Sequence, residues 1–286
     1  MLWDEYCLIR LSIQYRGRAI PLVWRVLRHG SSSVRFEVYQ LMLKRAARLV
    51  PAGVSVRFLA DRGFADTQLM RYLRDELQWH FRIRVKSSVW VYRSRRGWKQ
   101  LNQYHLAAGD SILLQGISLT KTHPLSDLNL ALGRDPLSRQ LWLVVTDEPA
   151  SLQTFREYGE RFQIEEQLLD EKSNGFQLER SESRSVPALS RLCLVLAVTT
   201  LLLSVQGQQV VATGKRRWVD AHWNRGNSYF RIGWNWLKGC LHKNWKLFPT
   251  ILLQCGVDPD PAIASNKQTQ QQFEREFTLK SYQFAA

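Results

Sequence analysis

Along the first 86 residues the hydrophobic period switches repeatedly between that of a strand and that of a helix, which restricts the chain to a mixed α/β core. Cys7, Ile9, Leu11, Ile13 and Tyr15 alternate with Leu8, Arg10, Ser12 and Gln14, so a strand with one buried face is predicted. Arg16-Gly17 turns it back into AIPLVWRVL at 19–27, giving an antiparallel hairpin. After Ser31-Ser32-Ser33, the expected N-cap, the spacing of Phe36, Tyr39, Leu43, Ala46 and Ala47 marks a helix. VSVRFLA at 54–60 is a strand ending on Asp61, and Asp66 with Thr67 caps a second helix reaching about Trp79. HFRIRVK at 80–86 is a further strand with Arg82, Arg84 and Lys86 on one face. From 88 to 146 short strands and turns prevail, SILLQGISL and LWLVVT among them, so a β-rich insertion is expected. A helix around 158–172 and an apolar helix at 187–205 follow, then a basic, aromatic stretch at 206–250 and a Gln-rich tail from Asp258. The expected organisation is a core in two parts, 1–87 and 149–205, an insertion at 88–148 and a C-terminal region at 206–286. Its sheet is part parallel and part antiparallel.

Charge narrows the partners. Forty Lys and Arg stand against 25 Asp and Glu, a net +15 and a pI near 10.0, which favours a polyanion, nucleic acid ahead of a membrane surface. Eleven Trp and nine Tyr add stacking surfaces among these charges. Cysteines at 7, 193, 240 and 255 make no CxxC pair or zinc spacing and read as reduced, buried thiols of a cytoplasmic protein. MLWDEYCLIR has no signal-peptide character, and the apolar run 192–205 is short for a bilayer span, so a buried core helix and no membrane are expected. The absence of GxxxxGK[ST] argues against P-loop nucleotide hydrolysis.

The stretch YGERFQIEEQLLDEK at 158–172 carries the chemistry. On a helical wheel Glu160, Gln163, Glu166, Gln167, Asp170 and Glu171 fill a polar arc, opposite Phe155, Phe162, Ile164, Leu168 and Leu169. Tyr158, Arg161, Glu165 and Lys172 fall within a stripe roughly 60° wide at the centre of the apolar arc. A carboxylate aimed into an apolar face needs a cation or a metal ion. Arg161 and Lys172 can pair with Glu165 in a structural cluster, or the excess positive charge can meet phosphates. Asp61, at the carboxyl end of a strand, is placed to face a ligand crevice, or simply bonds its own turn. Hard oxygen ligands from separate elements with Arg and Lys nearby suit Mg²⁺ and phosphoryl transfer.

Tyr158-x2-Arg161-x3-Glu165-x6-Lys172 resembles the Y-x2-R-x3-E-x6-K signature of cut-and-paste DDE transposases of the insertion-sequence-4 type. FLADRGFADTQLM around Asp61, YRGRAIPLVWRVL at 15–27 and WLVVTDEP at 142–149 also resemble family segments, over about residues 4–240. The resemblance implies a ribonuclease-H-like mixed sheet with a β-rich insertion before the glutamate helix. It implies two metal ions, Mg²⁺ or Mn²⁺, held by two Asp and one Glu, with Asp61 as the second Asp and Glu165 as the Glu. Tyr158, Arg161 and Lys172 match positions that hold transposon-end phosphates. Trp142 matches an aromatic near a flipped base, or is a core residue of the insertion. DNA, as transposon ends and target, is the implied partner, with a homodimer in a synaptic complex and a cytoplasmic, nucleoid-associated location.

The family's first aspartate lies on a strand before the hairpin, and Asp4 is a poor match for it, so the first strand is expected to be missing and the chain to be N-terminally truncated and inactive alone. Two other readings use the same residues. A non-catalytic DNA-binding remnant or inhibitor would rely on Arg82, Arg84, Lys86 and the segment GKRRWVDAHWNRGNSYFRIGWNWLKG. A structure-specific nuclease would keep the metal and phosphate residues.

Overall fold

A computed structural model describes residues 2–31, 34–249, 252–254, 256, 258, 260, 262 and 278–283. The chain forms two compact units, one of residues 1–32 and 163–270, the other of 33–162 and 271–286.

In the first unit, β1 (Tyr6–Tyr15) and β2 (Arg18–Arg28) form an antiparallel hairpin that is a two-stranded sheet of its own. Positive φ at Arg16 and Gly17 supplies the tight turn predicted there. The pairing register shifts between Leu11 and Ser12, which exchanges the faces. Cys7 and Ile9 are therefore buried while Ile13, expected on the same face, is exposed. Leu2, Tyr6 and Val26 of this region pack with Leu189, Cys193 and Leu196 of α5 (Val186–Ala212). Ser185 caps that helix and Pro187 opens it.

Helix α5 runs seven residues past the expected end at 205, because its polar residues find partners. Gln206 both donates to the Phe248 carbonyl and accepts from the Phe248 N–H, each at 2.9 Å, and Gln208 accepts from the Tyr15 hydroxyl at 2.7 Å. At 27 residues the helix is long and apolar enough by length and composition to cross a membrane, unlike the shorter run read from the sequence. It packs against β2 and against α6 (Tyr229–His242). The crossing of α5 and α6 is built on glycine: a Cβ on Gly207 would meet the Tyr229 carbonyl at 1.8 Å, and one on Gly233 the Leu203 carbonyl at 1.8 Å.

The second unit is organised on an eight-stranded mixed sheet in the order β3-β4-β9-β8-β7-β5-β6, with β10 (Thr278–Gln283) beside β7. The other strands are β3 (Arg57–Ala60), β4 (His80–Arg84), β5 (Trp90–Arg93), β6 (Gly97–Gln100), β7 (Asp110–Leu119), β8 (Leu125–Arg134) and β9 (Leu141–Thr146). β3 and β4 are parallel, β10 runs parallel to β7, and the remaining pairs are antiparallel. β9 lies between β4 and β8, so the expected insertion is continuous with β3 and β4 in one sheet. Among the described strands β3 is the outer one, paired with β4.

Helix α1 (Phe36–Leu49) starts from Arg35 with no side-chain cap; Ser32 and Ser33, expected to cap it, lie outside the described residues. Asp66 caps α2 (Thr67–Arg71), accepting from the Gln68 N–H at 2.8 Å as its sequence predicted. A π-turn at Tyr72–Glu76 then ends the helix short of Trp79. Cys255 and most of the Gln-rich tail are outside the described residues; Cys7 and Cys193 are buried and Cys240 is half-buried.

Candidate active site and nucleic-acid interface

Asp61 follows the last residue of β3, where the chain leaves the sheet into a single 3₁₀ turn, Arg62–Phe64. It caps that turn: Oδ1 accepts from the Gly63 N–H at 2.9 Å. A Cβ on Gly63 would sit 3.0 Å from the same oxygen, so glycine permits the close approach. The turn-bonding reading of Asp61 holds for Oδ1. That oxygen is bonded in an Asx-turn, and the exposed carboxylate leaves Oδ2 to solvent.

The helix predicted over 158–172 is four pieces: α3 (Leu152–Gly159), a 3₁₀ turn at Glu160–Phe162, α4 (Gln163–Leu169) and a π-turn at Asp170–Asn174. α3 begins where the Thr154 hydroxyl accepts from the Ser151 N–H at 3.0 Å. It buries Thr154, Phe155 and Tyr158 against the sheet of the second unit. α4 belongs to the first unit and packs on β2. A 3₁₀ turn advances ~120° per residue instead of ~100°, so three residues rotate the phase by ~60°. The change of packing partner supplies the rest. The buried side therefore passes to Gln167, Asp170 and Glu171, the arc expected to be solvated, while Phe162 and Leu169 are exposed. Glu165 is exposed and does not point into an apolar face, which corrects the premise on which it was singled out.

Asp170 and Glu171 tie this segment to the hairpin. Arg10 Nη1 donates to both Glu171 oxygens at 2.7 Å, with side-chain exposures of 6% and 1%. Gln167 donates to Glu171 at 2.9 Å and to Thr200 at 3.2 Å. Arg18 Nε donates to Asp170 at 2.6 Å and Nη2 to the Ser228 hydroxyl at 3.1 Å. Burial raises the Asp170 carboxyl above its ordinary value although the Arg18 charge opposes it. None of these four ionic residues belongs to the signature. The sequence offered one signal, Arg10 inside an apolar strand, without naming its partner.

Three of the residues expected to contact DNA are buried. Trp142 is 8% exposed and packs edge-on against Phe155 and Tyr158, with ring centroids 6.4 and 5.7 Å away, so it is the core residue of the second reading and offers no free face to a base. Tyr158 is fully buried, and its hydroxyl is closed off from any phosphate. Arg82 is 4% exposed and saturated: it donates to Glu157 at 2.7 Å, Glu148 at 2.7 Å, the Thr146 hydroxyl at 2.6 Å and the Phe81 carbonyl at 3.0 Å. Burial works to raise the pKa of Glu148, but Arg82, His80 and Arg57 carry it below the ordinary value. A cation already matched to two carboxylates has no charge left for DNA. Arg84 is half-buried and donates to the Leu141 carbonyl at 2.7 Å, and Lys86 is exposed. Arg161 and Lys172 are half-buried, the Arg161 guanidinium lying 5.7 Å from the Tyr158 ring and 4.7 Å from that of Phe162.

Mg²⁺ and Mn²⁺ take hard oxygen ligands, and the exposed carboxylates of Asp61 and Glu165 are of that kind. Asp61 belongs to the second unit and Glu165 to the first. Among the described residues no group of three or more His, Cys, Asp or Glu side chains is gathered to hold a metal ion. Asp4, with positive φ, lies in the turn before β1.

A family model described as Transposase DDE domain matches residues 6–219, most of the chain, and the chain belongs to that family. The comparison with curated proteins gave no match. Among solved structures the chain is similar to that titled "Cryo-EM structure of piggyBac transposase synaptic complex with hairpin DNA (SNHP)" at a TM-score of 0.41 and 10% identity. The match covers 94% of this chain and 61% of that one.

Proposed function

We propose that the chain is a DNA transposase of the cut-and-paste, insertion-sequence-4 type on a ribonuclease-H-like sheet, acting on transposon ends and target DNA in a paired synaptic complex. The observation that carries this reading is Asp61: an exposed carboxylate at the carboxyl end of a sheet strand, with one oxygen fixed by Gly63 and the other open, in a chain of the DDE family. Asp61 and Glu165 would hold the divalent ions. Such an ion, when bound, supplies positive charge to a phosphate oxygen and lowers the pKa of a water. Arg161, Lys172, Arg84 and Lys86 would meet DNA phosphates, which fix position without reading sequence.

Two carboxylates are one short of the set the family resemblance implies. The outer edge of β3 is where a further strand would bring a third to the side of Asp61. The chain by itself would then bind DNA without cutting it. The test is plasmid nicking in Mg²⁺. No nicking is expected from this chain, and nicking abolished by Asp61→Ala or Glu165→Ala is expected once an Asp-bearing strand is joined ahead of it. Nicking that survives both substitutions would refute the assignment.

A further inference from the structure

We propose that the loop from Lys215 to Asn227 is a stacking site for an unpaired DNA base, with Trp223 as its platform. The proposal rests on the DNA-binding reading above and adds the class of DNA. Of the eleven tryptophans only Trp218 and Trp223 are exposed, at 58% and 81%. Trp218 leans on Trp236 and Trp245, with centroids 6.0 and 5.3 Å away, and so extends the aromatic core. Trp223 instead projects from the loop with the Arg217 guanidinium 5.1 Å from its ring.

An indole left this open costs solvation that folding ordinarily removes. A mobile loop would fold it back onto the adjacent aromatic cluster, and this loop is not free to do so. Asp220, whose side chain is fully buried, accepts from the backbone N–H groups of Gly226 at 2.8 Å and Asn227 at 3.1 Å, and from His222 Nδ1. Arg216 clamps the other side, donating to the carbonyls of His222 and Trp223 at 2.9 Å each. A Cβ on Gly226 would lie 2.3 Å from the His222 ring, so the turn closes only over glycine. The platform is preorganised, and ligand binding need not order it.

The charges around it sort themselves. Arg216 is committed to loop carbonyls, Lys215 lies over Trp236 and Phe248, and Arg225 is 2% exposed and paired with Asp258 at 2.6 Å. Arg217 is the exposed cation of the loop, and it stands beside Trp223, the more exposed of its two tryptophans. That pair matches one nucleotide, a phosphate and a base. A duplex hides the faces of its bases in the stack, so the base must be unpaired. Trp142, which sequence resemblance suggested for such a role, is buried.

The experiment measures binding of the full chain to a fluorescein-labelled single-stranded oligonucleotide and to the blunt duplex of the same sequence. Trp223→Ala should weaken single-strand binding at least about fivefold, as loss of one stacked base does, and leave duplex binding unchanged. Trp223→Phe should retain most of the affinity. A 2-aminopurine in the single strand should be quenched by the native chain and not by Trp223→Ala. Equal loss on both DNAs, or no loss on either, overturns the stacking site while the DNA-binding reading stands. Failure of the native chain to bind either DNA overturns both. A change of oligomeric state in Trp223→Ala without a change in DNA affinity would make Trp223 a protein contact and likewise overturn the proposal.

Discussion

Glu171→Ala should be among the most damaging single substitutions in the first unit, although Glu171 lies outside the family signature. The side chains of Arg10 and Glu171 are 6% and 1% exposed, so solvent screens the pair little. At contact the attraction is worth ~4 kcal/mol with an effective dielectric constant of ~20, and the cost of desolvating both groups offsets much of it. The net worth of the pair is therefore small, but the worth of one partner is not. Removing Glu171 strands the Arg10 guanidinium, whose Nη2 already lacks a hydrogen-bond partner among the described residues, and removes one of the two acceptors of Gln167. An uncompensated buried charge costs ~3–5 kcal/mol. Urea unfolding followed by tryptophan fluorescence should show a lower midpoint at unchanged m-value, and the melting temperature should fall by about 6–15 °C. The double variant Arg10→Met, Glu171→Leu should recover most of the loss, since an apolar pair of similar volume avoids both desolvation costs. A loss below about 1 kcal/mol in Glu171→Ala, or a double variant no better than the single, would refute the reasoning.

Gly207→Ala should destabilise by about 3 kcal/mol or more in the same assay: the helix-propensity gain of ~1 kcal/mol is outweighed by a Cβ set 1.8 Å from the Tyr229 carbonyl. Arg82→Ala should lower stability while leaving the salt dependence of DNA binding unchanged, whereas Lys86→Ala should reduce the log–log salt slope by about one. Burial pushes the Cys193 thiol up to about 11, helped by Glu171, so Ellman's reagent near neutral pH should leave Cys193 unmodified until denaturant is added. Burial opposes ionisation of Asp220, but bonds from His222, Asn227 and Gly226 carry its pKa below 3.8. A depressed folded-state pKa gives stability that is present above 3.8 and lost as pH falls through the lower value. Acid should therefore loosen the Trp223 loop, read as a fluorescence change that Asp220→Asn removes.

The sequence reading succeeded where one face of an element decides everything. Strand alternation located the hairpin, β7 and β9, and Asp66 before Thr67 located a helix start, because each depends on local chemistry alone. It failed on α5, which continues past residue 205 where Gln206 meets Phe248, a partner 42 positions away. It failed on Arg82 for the same reason: alternation places an arginine on a face, but its burial depends on Glu148 and Glu157 from other elements. A single sequence registers an arginine as charge and cannot say whether that charge is already matched.

The glutamate helix is the sharpest case, because the carboxylate proposed for the metal was reached through an incorrect face. A continuous wheel over 158–172 requires one phase and one packing partner, and the chain has neither. Tyr158 ends buried in one unit, Glu171 ends buried in the other, and Glu165 stands in the exposed arc of the short helix between them. The order of Tyr, Arg, Glu and Lys was informative as a pattern, and the inference that all four share an inward face was not. Asp170 and Glu171, dismissed as solvated, are the acids that hold α4 to the hairpin through Arg18 and Arg10. That division has a physical logic. Carboxylates bound to arginine are already neutralised and are poor ligands for anything else, so the two that fix the helix are poor candidates for the proposed metal role. Glu171→Gln should then disturb stability more than any metal-dependent property, and Glu165→Gln the reverse. Calorimetric titration with Mn²⁺ beside urea unfolding separates the two. Mn²⁺ binding lost in Glu171→Gln at full stability, and kept in Glu165→Gln, would exchange their roles.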